Sequence, residues 1–103
     1  MTVNAIVLIN ENIRDKDLAF GSDNRPRLEE ELLIKAKSGI KSNEKKLAEI
    51  LYIQNATGTY DYILQMKADN VELLMEAINE LRQIPQVIET FTHVGQVIFP
   101  KKN

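Results

Sequence analysis

The sequence predicts an α+β domain with the ferredoxin-like βαββαβ order, a four-stranded antiparallel sheet that carries two helices on one face. Three observations lead to this fold class. Four segments have strand composition, two segments have apolar residues at helical spacing, and the two kinds follow each other in the βαββαβ order. The length of 103 residues suits one domain, so we expect residues 1–103 to share a single core.

The first element is a β-branched and aliphatic run over residues 3–9, which is too short for a stable helix and predicts a buried strand. A polar stretch, residues 10–27, follows it and carries Gly21 and Pro26, so it predicts a loop. The loop is long for a compact domain. It is either a flexible surface insertion or a functional segment.

The first helix is predicted from Leu28 to Ala36, where apolar residues recur at helical spacing and three glutamates occupy the first turn. The Ser-Gly pair at 38–39 is a plausible stop signal. Beyond it the sequence allows two interpretations. Residues 42–44 form a second turn, or a short helix begins at Ser42 and runs through Ala48.

The second and third strands are predicted at residues 49–57 and 60–68, with a tight connection between them. In the second strand, Ile50 and Tyr52 are expected to alternate with Leu51 and Ile53. In the third, Ile63 is expected on the face away from the helices. The helix-facing set of the third strand is Tyr60, Tyr62, Leu64, Met66 and Ala68.

The second helix follows Asp69, an expected acidic N-cap with Glu72 three residues later. Its apolar positions run at helical spacing up to Leu81, and it ends before Pro85, because proline lacks the N–H and disfavours helix at the preceding residue. Residues 87–99 predict the last strand. Gly95 within it predicts a bulge or a close approach of another backbone.

Two helices cover only one face of such a sheet, yet the first strand is apolar on both sides. The uncovered face would therefore expose a contiguous apolar patch, which typically marks an interface. We expect an isologous homodimer that buries sheet against sheet. The alternative is that the loop at 10–27 folds over this face. The residues expected at the dimer interface are Ile6, Leu8, Leu51, Ile53 and Ile63.

Composition argues against several function classes. Thirteen basic and fifteen acidic residues leave a net charge of −2, so no direct contact with nucleic acid is expected, and the lysines at 35–46 and 101–102 are interpreted as solvated surface. Without cysteine, and with His93 as the only histidine, the chain offers no catalytic constellation, metal site or cofactor motif. No signal peptide or membrane span is present, which predicts a soluble, cytoplasmic protein.

The junction between the second and third strands carries the most specific motif, residues 57–61, with the sequence Thr-Gly-Thr-Tyr-Asp. Gly58 allows a sharp turn or the close approach of a ligand. The threonine hydroxyls could hold a small zwitterion, and Asp61 could pair with its ammonium group. An ordinary hairpin with a glycine turn explains the same residues.

This motif, followed by an apolar strand, a helix, Ile-Pro-Gln-Val at 84–87 and Thr-Phe-Thr at 90–92, resembles the effector domain of the Lrp/AsnC family. The family pattern is a T-G-x-Y-D turn, a helix, I-P-G-V and a T-x-T strand, and Gln86 replaces the usual glycine. The resemblance covers about residues 50–99 and the opening strand. It implies dimers that join through their sheets, further assembly into rings and amino acids bound between dimers. The ligand-contacting residues that it implies are Thr57, Gly58, Thr59, Tyr60, Asp61, Thr90 and Thr92.

Family regulators carry an N-terminal helix-turn-helix, whereas this sequence starts at the first strand of the effector domain. The resemblance is therefore to stand-alone members, which implies an amino-acid sensor that acts through oligomerisation or through co-assembly with a full-length DNA-binding relative. A second hypothesis is an oligomerisation module without a ligand. A third is a small ferredoxin-like enzyme, for which only His93 or Tyr60 offers acid–base chemistry.

Overall fold

A computed structural model describes residues 2–11, 28–56 and 59–95. Its strands form one antiparallel sheet in the order β2-β3-β4-β1-β5, and both helices pack on the same layer of core residues. This confirms the predicted α+β, ferredoxin-like class, with one strand more than expected. The elements are β1 Val3–Glu11, α1 Leu28–Ser38, β2 Ile40–Ser42, β3 Lys45–Asn55, β4 Tyr62–Ala68, α2 Val71–Arg82 and β5 Val87–Gly95.

The core lies between the helices and one face of the two central strands, β1 and β4. Alternate residues of β1 are buried, and each sits opposite a buried residue of β4, for example Val7 opposite Leu64. Because side chains alternate across a strand, a slip of one residue would expose all of these side chains, so their burial fixes the β1–β4 register. Helix α1 contributes Leu28 and Leu32 to the core. Helix α2 contributes Leu74, Ala77, Ile78 and Leu81.

The N-cap of α2 is Asn70, one residue later than the predicted Asp69. The backbone of Asn70 is extended, and its side-chain oxygen accepts a hydrogen bond of 2.8 Å from the backbone N–H of Leu73. Both residue types suit an N-cap, so the sequence could not distinguish adjacent candidates. At the other end, Gln83 caps the helix before Pro85, as expected.

The segment after α1 forms a β-hairpin, so the alternative of a short helix from Ser42 through Ala48 is wrong. Gly39 ends α1 with a φ of +83°, and its N–H donates to the carbonyl of Lys35 at 2.8 Å. Asn43 and Glu44 then take positive φ values of 50° and 68°, typical of a two-residue hairpin turn. This hairpin supplies the extra edge strand, β2.

A register shift in β3 between Ile50 and Tyr52 changes which residues share a face. Ile50 lies opposite the buried Met66, whereas Tyr52 lies opposite Gln65 and is half exposed. After the shift, Ile53 lies opposite Leu64 and packs against the core. The expected alternation, with Ile53 on the face away from the helices, is therefore wrong.

Three strand boundaries also differ from expectation. Strand β1 extends to Glu11, so residues 10 and 11 belong to the sheet rather than to the loop, and the rest of that loop lies outside the described residues. Strand β4 begins at Tyr62, which leaves Tyr60 outside the helix-facing set. Strand β3 begins at Lys45 rather than at residue 49. The predicted end of β5, residues 96–99, lies outside the described residues, and within them Gly95 pairs with Asn4 with neither a bulge nor a close contact.

Candidate functional site

The face of the sheet away from the helices, called the open face below, is apolar at its centre. Leu8 of β1 lies directly opposite Ile63 of β4 and Phe91 of β5. Ile6, two residues earlier on the same face, is 40% exposed, and Phe91 is 43% exposed. Of the five residues predicted for the dimer interface, Ile6, Leu8 and Ile63 lie on this face, and Leu51 is half exposed at the register shift. Only Ile53 lies on the opposite side.

Asp61, the last residue of the motif at 57–61, makes two hydrogen bonds to the end of β1 and one to Ala56, which follows β3. Its backbone N–H donates to the carbonyl of Ile9 at 3.0 Å, and its carbonyl accepts from the N–H of Ala56 at 2.8 Å. Its carboxylate Oδ2 accepts from the backbone N–H of Glu11 at 2.7 Å. A carboxylate that accepts a backbone N–H is a strong, charge-assisted interaction. The side chain therefore has a positioning role that the sequence did not reveal.

Thr90 and Thr92 lie on the helix-facing side of β5, opposite Ile9 and Val7. Thr90 is 8% exposed, and its hydroxyl oxygen accepts a hydrogen bond of 2.8 Å from Nε of Arg82 in the last turn of α2. The Thr92 hydroxyl oxygen is buried and has no hydrogen-bond partner within the described residues. Buried hydroxyls are nearly always paired, so a lone one calls for an explanation.

Arg82 is the residue of this cluster that sequence reasoning missed. A basic residue in the last turn of a helix is usually solvated, and Arg82 is exposed, but its Nε also donates to Thr90. Its contact with Thr90 depends on how α2 packs across β5, which is a tertiary relation. The only sequence signal was its spacing of eight residues from Thr90, with the turn at 84–87 between them.

The remaining predicted ligand residues divide between the two sides of the sheet. The ring of Tyr60 contacts Phe91 edge to face, with 5.6 Å between the ring centroids, which associates Tyr60 with the open face. Thr59 is exposed. Thr57 and Gly58 lie outside the described residues. The structure thus brings Asp61 to the strand ends next to Ile9, while Thr90 and Thr92 lie across β1 on the helix side.

Other kinds of site find little support in the described ranges. They contain no group of three or more acidic or histidine side chains placed to hold a metal ion. His93 is exposed on β5 opposite Ile6. None of the helices in these ranges has the length and hydropathy to span a membrane. A cavity of about 350 Å³ lies between the helices near Gln83 and Pro85, and none of the predicted ligand residues lines it.

The fold is that of a small effector-binding domain. Residues 38–96 match the family described as the Lrp/AsnC ligand binding domain, and the chain belongs to that family. A comparison with curated proteins gives no match.

Three solved structures share the fold. FFRP-DM1 is 20% identical with a TM-score of 0.58, and the match covers 91% of this chain and 99% of that one. The hypothetical protein PHS023 from Pyrococcus horikoshii is 20% identical with a TM-score of 0.57, covering 92% and 90%. MtbAldR is 14% identical with a TM-score of 0.60, covering 98% of this chain and 54% of MtbAldR.

Proposed function

We propose that this domain senses an amino acid, bound where residues 57–61 and the Arg82–Thr90–Thr92 cluster approach a neighbouring subunit, and that binding changes its assembly. The observation that carries the proposal is the buried hydroxyl of Thr92, which has no hydrogen-bond partner among the described residues. Thr92 lies two residues from Thr90 on the same face of β5. The Thr90 hydroxyl accepts a hydrogen bond from Arg82. An effector group would supply the missing hydrogen bond.

The cluster suits a carboxylate. Thr90 accepts from Arg82 with its oxygen, so its own O–H remains available to donate, as does the O–H of Thr92. The guanidinium of Arg82 has further N–H donors beyond Nε, in a fork that matches carboxylate geometry. Hydroxyl and guanidinium donors together make an anionic group the favoured ligand, and every free amino acid carries one.

The open face supports the second half of the proposal, a homodimer that packs sheet against sheet. Leu8, Ile63 and Phe91 form an apolar centre on a face that the helices do not cover. An effector that binds between subunits stabilises whichever assembly forms its site, so ligand and oligomer are linked. We infer a cytoplasmic regulator that affects transcription indirectly, through dimers or rings of its own or through co-assembly with a DNA-binding relative.

The test is thermal unfolding of the full chain against a panel of the amino acids, with light scattering on the same samples. One or a few amino acids are expected to raise the melting temperature by about 10 °C at concentrations roughly a hundredfold above their dissociation constant. A flat panel, with no change in mass for any amino acid, contradicts the proposal.

An oligomerisation module without a ligand is the second candidate, and the exposed open face favours it specifically. It predicts a stable oligomer together with a flat amino-acid panel. Asp61→Ala does not discriminate between the two functions, because the carboxylate of Asp61 holds the backbone of Glu11. Replacement of Thr92 separates them more cleanly.

Thr92→Val is expected to raise the free energy of unfolding by about 1 kcal/mol, because it removes a buried hydroxyl that has no partner in the described structure. The same change is expected to weaken the effector response about tenfold or more, since a bound carboxylate loses one hydrogen bond. Urea unfolding and the amino-acid titration measure the two effects separately.

Thr90→Val is the matched control. It makes the same chemical change two residues away, but it breaks the hydrogen bond from Arg82 and is expected to lower the free energy of unfolding by about 1 kcal/mol. If Thr92→Val instead destabilises the chain and leaves effector binding unchanged, the hydroxyl has an internal role and the proposed site is wrong.

A further inference from the structure

The hairpin formed by residues 40–48 is an addition to the predicted four-stranded sheet, and it is firmly anchored. Ile40, Leu47 and Ala48 are each buried in the core. Between them, the two-residue turn at Asn43 and Glu44 projects from the end of the sheet. The anchored base fixes the direction of the strands, so the polar side chains of the hairpin are displayed at defined positions.

Basic charge is concentrated on this part of the molecule. Residues 35–46 contain lysines at 35, 37, 41, 45 and 46 and one acidic residue, Glu44, in a chain whose net charge is −2. Helix α2, by contrast, carries glutamates at 72, 76 and 80, a spacing of four residues that places them along one stripe. The hairpin and the end of α1 are therefore basic, whereas the stripe of glutamates on α2 is acidic.

The register of the hairpin sets two like charges against each other. Lys41 of β2 lies directly opposite Lys46 of β3, and like charges at such positions destabilise a sheet. The charge of Lys46 is compensated by Glu49, whose carboxylate accepts a hydrogen bond from the Lys46 ammonium group. This hydrogen bond and the charge of Lys46 lower the pKa of the Glu49 carboxyl. Lys41 and Lys45 are both exposed, and neither has an ion-pair partner among the residues that the structure describes.

Strand β2 is also an edge, since it is the last strand at its end of the described sheet. Exposed edges can pair with another chain, and lysines on a short edge strand discourage this for most partners. If the incoming strand carries carboxylates, the same lysines attract it electrostatically. Main-chain hydrogen bonds would then provide affinity and the charges would provide selectivity, as in other cases of strand addition.

We propose that the basic hairpin, residues 40–46, binds an extended acidic peptide segment of another protein, which adds to the outer edge of β2. Lys41 pairs with Lys46 and Ser42 with Lys45, so Lys41 and Lys45 lie on opposite faces of the hairpin, and the peptide carries carboxylates on both of its faces to meet them. The observations favour a peptide over duplex nucleic acid. A duplex presents charge over a broad surface and would meet the acidic remainder of the chain, whereas a single strand contacts only the edge.

The test measures binding of a labelled peptide of about ten residues, mostly glutamate so that carboxylates project from both faces of the strand, to the full chain by fluorescence anisotropy. The double variant Lys41→Gln/Lys45→Gln is expected to bind it about tenfold more weakly, because two charge contacts are lost. The matched control, Thr2→Asp/Asn79→Asp, makes the same change in net charge at exposed sites away from the hairpin and is expected to bind normally.

Strand addition has its own signature, which is slower hydrogen exchange at the amides of residues 40–42 when the peptide is bound. Equal weakening in the double variant and its control would reduce the effect to net charge and overturn the proposal. Tighter binding of a duplex DNA than of the peptide would overturn it in favour of nucleic acid. If neither the peptide nor the duplex binds, the proposal is overturned, and the lysines serve only to discourage other strands from pairing with β2.

Discussion

In the proposed homodimer, Ile6→Asp is expected to raise the dissociation constant by at least about a hundredfold and so to yield monomers. Ile6 lies on the open face, 40% exposed, on one of the two central strands. In a two-fold dimer the change occurs twice, so two apolar contacts are lost and two carboxylates must be buried or kept apart. In either case the free energy of association becomes less favourable, because local rearrangement at the interface does not offset these losses.

The measurement is sedimentation or light scattering over a range of protein concentrations. Val71→Asp is the matched control, because Val71 is also half exposed and receives the same new side chain, but it lies on the helix side at the start of α2. An acidic residue in a first helical turn is favourable, so this variant should remain folded and dimeric. A dimer that survives Ile6→Asp but not Val71→Asp would place the interface on the helices.

Much of this fold followed from patterns that act over short distances. The helical spacing between Val71 and Leu81 predicts α2 correctly, because one apolar stripe must face the core. The alternation from Tyr62 to Ala68 predicts β4 for the same reason with a period of two. Both patterns are local consequences of burial on one side, and so they are visible without any tertiary information.

The errors occurred where a single residue changes the phase of a pattern. The register shift after Ile50 moves Ile53 to the opposite face, and nothing in the composition of β3 signals it. The hairpin at 40–48 requires positive φ at Asn43 and Glu44, and glutamate is unusual there. The predicted turn at residues 42–44 is confirmed, whereas the strands on either side of it were not predicted and the alternative helix from Ser42 through Ala48 is wrong.

The site was less predictable than the fold because its residues act through tertiary contacts. The sequence placed Thr90 and Thr92 in one cluster with Asp61, yet it could not show that Arg82 reaches Thr90 from the end of α2. Nor could it show that the carboxylate of Asp61 is directed to a backbone N–H of β1. The first relation depends on how α2 crosses the sheet and the second on how Asp61 lies beside the end of β1, and local patterns encode neither.

Two substitutions at Asp61 separate its positioning role from any role of its charge. Asp61→Ala is expected to lower the free energy of unfolding by about 2 kcal/mol, because the partly buried N–H of Glu11 loses its acceptor. It is also expected to abolish the amino-acid response, because Asp61, at the end of the motif, loses its side-chain contact to the end of β1. Urea unfolding and the thermal-shift panel measure the two effects.

Asp61→Asn is the informative partner of that variant, because the amide oxygen can still accept from the Glu11 N–H while the charge is gone. We expect it to recover most of the lost stability. If the amino-acid response returns as well, Asp61 acts only by holding the segment in place. If stability returns without the response, the carboxylate pairs directly with the ammonium group of the effector, as the sequence motif predicted. If neither returns, the bond to Glu11 is not what Asp61 contributes, and the positioning role assigned to it is wrong.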